Sequence, residues 1–168
     1  MYDYQMVYDS STGTLTEEGT LAFGGLMGLG IAAMVAIIII SLIFYVLYII
    51  AAWKVFTKAG EPGWKAIIPI YNTYITYKIS WKTSMFWITL ALAIVGGILN
   101  SLITFSVFFS VLSSLISIAI IVLSIIQMNK LSKAFGHGAG FTVGLIFLNF
   151  IFMLVLGFDS SEYIGPQE

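Results

Sequence analysis

The residues able to do chemistry in this chain are few, and their spacing limits what that chemistry is. Ser106, Ser110, Ser113, Ser117 and Ser124 fall on one heptad face of a stretch otherwise rich in Ile, Leu and Val. Such a row either lines a path for water or a neutral solute, or lets helices approach closely and hydrogen-bond across the contact. The apolar neighbours favour packing. His137, the single histidine, sits in Phe135-Gly-His-Gly-Ala-Gly140 with no acid beside it in sequence. A zinc site needs a cluster of His, Asp, Glu or Cys, and Cys is absent, so neither a metal nor another cofactor is expected. A loose phosphate nest with Lys133 is conceivable at these glycines, but a plain interfacial turn is the simpler reading.

The elements that position these residues follow from composition. Of 168 residues 60% are hydrophobic and 9% charged, and mean hydropathy is +1.02. Soluble domains carry about 25% charged residues, so a water-facing surface cannot be covered here. Net charge is −1 and Arg is absent, which argues against a nucleic-acid partner. The expected class is an all-α membrane protein.

Four apolar stretches give the expected crossings. Leu21 to Trp53 carries no charge; its start is glycine-rich (Gly24, Gly25, Gly28, Gly30), so the crossing is set at 29–52. Thr83 to Asn129 is also uncharged, and as one helix it would be about 70 Å long, twice a ~30 Å hydrocarbon core. It must fold back around Asn100–Ser106, giving crossings at 84–99 and 107–128. The fourth, 141–158, is short but sufficient for a thin or upright crossing. The expected domain is therefore a four-helix transmembrane unit over 21–158, flanked by tails 1–20 and 159–168. The N-terminal stretch lacks the positive region of a secretory signal, so the first helix is expected to remain in the mature chain.

The lysines orient this arrangement. Lys54, Lys58, Lys65, Lys78 and Lys82 lie between the first two crossings, and Lys130 and Lys133 between the last two. Four crossings put all of them on the cytoplasmic face and both tails outside, whereas three are expected to divide them; the positive-inside rule favours four. Between helices 1 and 2, segment 60–82 mixes aromatic residues with lysines. Trp64, Lys65, Tyr71, Lys78, Trp81 and Lys82 read as contacts of an interfacial amphipathic segment with an anionic leaflet, broken by Pro69.

Lys58-Ala-Gly-Glu-Pro-Gly-Trp-Lys-Ala-Ile-Ile-Pro-Ile-Tyr-Asn72 resembles the signature of an uncharacterised family of small prokaryotic multi-pass membrane proteins. Lys133-Ala-Phe-Gly, then Gly140-Phe-Thr-Val-Gly-Leu-Ile-Phe-Leu, Leu156-Gly-Phe and Tyr163, is similar to its C-terminal half. The motif residues are Gly60, Pro62, Gly63, Trp64, Pro69, Asn72, Phe135 and Gly136. The resemblance implies membrane helices and no established activity, although some members carry a signal peptidase I name.

That name implies a Ser–Lys dyad, which requires a neutral lysine within reach of a serine on the outer face. The serines expected outside, Ser10, Ser11, Ser160 and Ser161, have no base nearby in sequence, and every lysine is expected inside. An enzyme is disfavoured. The reading is an inner-membrane protein of structural or interaction type that packs into a homo-oligomer, its other partner being the lipid bilayer. A small neutral-solute channel or transporter subunit is the alternative, and a membrane peptidase the third.

Overall fold

Thr16 opens the first helix: its Oγ1 accepts the Gly19 N–H at 3.1 Å, an N-cap, and Glu17 follows in the turn where a negative charge suits the helix dipole. This computed structural model describes residues 8–9, 12–102, 104 and 106–167. Helix α1 spans Glu17–Lys58, about 63 Å at 1.5 Å per residue. Ahead of it, strand β1 (Tyr8–Asp9) pairs antiparallel with β2 (Thr14–Leu15). The end of α1 is a Schellman cap: Gly60 takes φ +75°, the Glu61 N–H reaches the Phe56 carbonyl at 2.9 Å, and the Gly60 N–H reaches that of Thr57 at 3.1 Å. The helix ends at Lys58, directly before this cap.

The chain divides into two compact units, Met1–Val46 and Leu47–Glu168. In the first, the strand pair precedes the opening part of α1, whose residues 20–46 are all exposed. Residues 1–7, 10 and 11 of the expected outer tail lie outside the described residues.

In the second unit, the end of α1 leads through a 3₁₀ turn (Gly63–Ala66) into α2 (Pro69–Ser80), with Pro69 at its first position. Helix α3 (Thr83–Ser101) and α4 (Val107–Ala134) follow, α4 being N-capped by Ser106. The expected turn at 100–106 falls between them, and its residues 103 and 105 lie outside the described residues. A second Schellman cap ends α4: Gly136 has φ +74°, with His137 N–H to Ser132 O and Gly136 N–H to Lys133 O both at 3.0 Å. Then come α5 (Ala139–Phe147) and α6 (Asn149–Phe158). Val55 and Phe56 of α1, Ile75 of α2, Leu131 of α4, Leu145 of α5 and Leu156 of α6 share the buried core.

Three helices are long and apolar enough to cross a membrane, Gly19–Lys58, Thr83–Ser101 and Val107–Ala134, which makes this a membrane protein. The stretch expected as a fourth crossing, 141–158, is built differently. Leu148 leaves helical geometry (φ −128°, ψ 46°), splitting the segment into helices of 9 and 10 residues, each well short of the ~20 a crossing needs. The two fold against each other. A Cβ on Gly144 would overlap the Phe152 ring, and the Phe141 and Phe152 rings stand 5.0 Å apart. In a straight helix residues eight apart are separated by about 12 Å along the axis. The hairpin's ends meet, His137 Nε2 lying 3.1 Å from Asp159 Oδ2.

Helix α6 crosses α1 through Gly157, where a Cβ would sit 2.9 Å from the Ala51 carbonyl oxygen and 3.2 Å from its Cα. Backbone on backbone leaves nothing to yield. Gly157→Ala is expected to destabilise the protein by about 1–3 kcal/mol, read as a lowered unfolding midpoint in detergent. Gly97→Ala on α3, which meets open space, should leave the midpoint nearly unchanged. Equal midpoints for the two variants would remove this crossing from the account.

Candidate functional site

The chemistry-bearing side chains gather where helices end. Lys58, in the last turn of α1, directs its ammonium to the Leu156 carbonyl (2.7 Å), the Asp159 carbonyl (2.8 Å) and Asp159 Oδ1 (2.7 Å). Its three donors thus meet three acceptors, and both side chains keep only 22% of their surface exposed. The last carbonyls of α6 would otherwise lack donors, and a cation is the group that the negative end of a helix favours. Asp159 also accepts from the Ser161 hydroxyl (2.6 Å) and backbone N–H (3.1 Å), an Asx turn, while His137 stacks on Phe141 at 4.0 Å. Burial pushes the Asp159 carboxyl up, but the bonds from Lys58 and Ser161 outweigh it and hold the group below the usual range. Sequence reasoning left His137 without an acid because Asp159 is 22 residues away; only the hairpin brings them together.

Glu61 forms the second cluster. It bridges Lys78 (2.5 Å) and, one turn along, Lys65 (2.9 Å), and these bonds, Lys78's first, hold its carboxyl below the usual range. From here an aromatic ladder runs along segment 60–82. Trp64 and Tyr71 are 6.3 Å apart, Tyr71 and Tyr74 6.5 Å, and Tyr74 meets Phe86 of α3 edge-on at 5.3 Å. Trp64 and Tyr71 stay exposed, Trp81 is half-buried with the Lys130 ammonium 6.0 Å from its ring, and Lys82 is exposed at the start of α3. The family-motif residues turn the chain. Gly60 and Gly136 occupy the two Schellman positions; Gly63 lies against the Trp53 ring where any Cβ would collide; Asn72 Nδ2 donates to the Ala66 carbonyl at 3.0 Å. Phe135 is buried against Tyr163.

The tail after α6 ties these ends together. The Tyr163 hydroxyl donates to the Ile79 carbonyl (3.0 Å), the Ile164 N–H to Ala134 (2.8 Å) and the Gln167 N–H to Ser80 (3.0 Å). The acceptors are terminal carbonyls of α2 and α4, which have no intrahelical donor.

The serine row of α4 is divided. Ser110, Ser113 and Ser124 are half-buried, Ser106 and Ser117 exposed. Ser110, Ser117 and Ser124 return their hydroxyls to carbonyls of their own helix, and Ser106 caps it. As for a dyad, Ser161 bonds the carboxylate hub rather than an amine or imidazole, and the Lys58 ammonium is saturated. A Ser–Lys dyad needs the serine hydroxyl against a lysine amine, and Ser161 instead donates to a carboxylate. A separate feature, with no cue in the residue pattern, is a cavity of about 210 Å³ lined by Tyr48, Asn72, Thr76, Gln127 and Asn149 among others.

Lys58→Met strips Asp159 of its cation and leaves two helix-end carbonyls without a donor. The expected loss is about 2–4 kcal/mol, measured as a lowered unfolding midpoint; an unchanged midpoint would show that the cluster is idle. Because Asp159 and Glu61 ionise more readily folded than unfolded, their contribution is complete above the unfolded values near ~4 and falls away as pH drops through the lowered folded values. Acid titration of the unfolding midpoint should show this loss, and Lys58→Met should flatten it.

Neither the curated proteins nor the solved structures compared with this chain give a match. Residues 64–166 match the Family of unknown function (DUF5684). Of the motif residues, Trp64, Pro69, Asn72, Phe135 and Gly136 fall inside the match, and Gly60, Pro62 and Gly63 just before it. The matched stretch takes in α2 to α6 and more than half of the sequence, and the chain belongs to that family of unknown function.

Proposed function

We propose that this protein crosses the cell membrane three times, dips back into it once through the α5–α6 hairpin, and works by assembling with copies of itself rather than by catalysis. The observation that carries the assembly is on α1. Gly24, Gly25, Gly28 and Gly30 lie inside this helix, and a Cβ at any of them meets no heavy atom within 4 Å. Interior helical glycines cost about 1 kcal/mol each relative to alanine, and no contact among the described residues of the first unit requires them. Small residues at Gly28, Ala32 and Ala36 give one face on which a second helix approaches closely. This moves the expected contact from the serine row, whose hydroxyls are largely satisfied on their own helix, to α1.

The orientation follows from charge. With α1, α3 and α4 as crossings, all seven lysines still share one face, because α3 and α4 cross in opposite directions between Lys82 and Lys130 and no lysine follows Lys133. That face is the cytoplasmic one by the positive-inside rule, and Lys82 and Lys133, exposed and without a carboxylate partner among the described residues, meet the anionic headgroups. The bonds from the tail to Ile79, Ser80 and Ala134 support a cytoplasmic C-terminus, in place of the outer one expected from sequence. A second reading, a path for a small neutral solute, draws its support from the polar cavity.

The chain has no cysteine, so single introduced thiols report topology. An impermeant maleimide on intact cells is expected to label Thr12→Cys, and Ser160→Cys only after permeabilisation. Ready labelling of Ser160→Cys in intact cells would restore the fourth crossing. For assembly, native mass spectrometry from nanodiscs should give an oligomer for the natural chain and mainly monomer for Gly24→Leu with Gly28→Leu, at an unchanged unfolding midpoint. A natural chain that stays monomeric at every protein-to-lipid ratio overturns the proposal.

A further inference from the structure

The cavity bounded by α1, α2, α4 and α6 has a polar chemistry that packing does not account for. Tyr48 of α1 lies ten residues before Lys58, about 15 Å deeper along the helix, and Gln127 of α4 lies one turn before Lys130. At that depth unsatisfied polar groups are costly, and a bracing network would close on itself. This one does not. Asn72 and Asn149 each donate to a carbonyl of their own neighbourhood, Ala66 and Leu145, and Gln127 donates to the Ser80 hydroxyl. None of the three amides bonds another across the cavity, and the Tyr48 hydroxyl has no hydrogen-bond partner among the described residues. Among the described residues no side-chain polar atom of the cavity wall is both buried and unpaired, so the spare groups are accessible. What remains on offer is the Tyr48 hydroxyl, the carbonyl oxygens of Gln127 and Asn149, and the second N–H of each of the three amides. Among the described residues no acid, lysine or histidine lines the wall.

We infer that this cavity is a binding site for a small uncharged molecule bearing several O–H or N–H donors, a polyol or a primary amide. The neutral wall excludes ions, because a charge at this depth needs a partner that the wall lacks. The volume, about 210 Å³, equals that of about seven waters at ~30 Å³ each, room enough for a solute of glycerol or urea size. Donors of the solute meet the Gln127 and Asn149 carbonyls, and the Tyr48 hydroxyl donates to a solute oxygen. The site does not depend on oligomer formation, since every wall residue belongs to the second unit.

The test uses the full chain in nanodiscs and saturation-transfer NMR with glycerol, urea, acetate and choline as probes. Saturable transfer is expected to glycerol or urea, absent from empty nanodiscs and from the two ions. Tyr48→Phe, which removes one oxygen and keeps the ring, should weaken it about tenfold at an unchanged unfolding midpoint. Met153→Trp, which fills the cavity from the α6 side, should abolish it, and Ser117→Ala on the exposed face of α4 should leave it intact. Absence of saturable transfer makes ordered water the occupant and overturns the inference. So does equal binding of the ions, or transfer that survives both Tyr48→Phe and Met153→Trp.

Discussion

Four helix carboxyl ends, those of α1, α2, α4 and α6, meet at one end of the second unit, and the donors they find there hold the rest together. Each end presents carbonyls without intrahelical partners and about half a negative charge. A carbonyl left unpaired costs about 1–3 kcal/mol, more beside hydrocarbon. The protein answers with two glycine caps, at Gly60 and Gly136, with the Lys58 ammonium, and with a tail whose N–H and phenol groups reach the remaining acceptors. The lysines at these ends therefore have a folding role. Lys58, Lys65 and Lys78 are engaged with Asp159 and Glu61, while Lys54 lies over the Phe158 ring at 4.7 Å.

The hairpin and the cavity are one feature seen from two sides. Non-helical backbone at membrane depth persists only where protein buries it or a polar cavity receives it. The break at Leu148 is followed at once by Asn149, whose amide donates to the Leu145 carbonyl while its side chain lines the cavity. The break into helices of 9 and 10 residues directs the tail back toward Lys58. A continuous helix over 141–158 would carry Asp159 away from His137 and leave the ends of α2 and α4 uncovered.

The three long helices were legible because length and absence of charge suffice to define them. The hairpin was not. An apolar run of 141–158 is compatible with a short crossing or with a bent pair, and the lysine distribution does not separate the two, since a segment that enters and leaves by one face moves no lysine. Gly144 carried the missing signal. Its lack of a side chain is what lets Phe152 fold over it, but a glycine within an apolar run is common enough to pass unnoticed. The pairing of Asp159 with Lys58 and His137, and the polar wall from Tyr48 to Asn149, join residues far apart in sequence, which no local period reveals. The motif that carried the family resemblance proved to be punctuation: Gly60, Gly63, Pro69, Asn72 and Gly136 turn or cap the chain.

A spin-label distance tests the convergence of these ends most directly. With nitroxides on Thr57→Cys and Ser160→Cys, one residue from Lys58 and one from Asp159, pulsed electron resonance in nanodiscs should give a narrow distribution below about 25 Å, linkers included. A distance of about 35 Å or more, as a ~30 Å hydrocarbon core between the two sites would impose, contradicts the account.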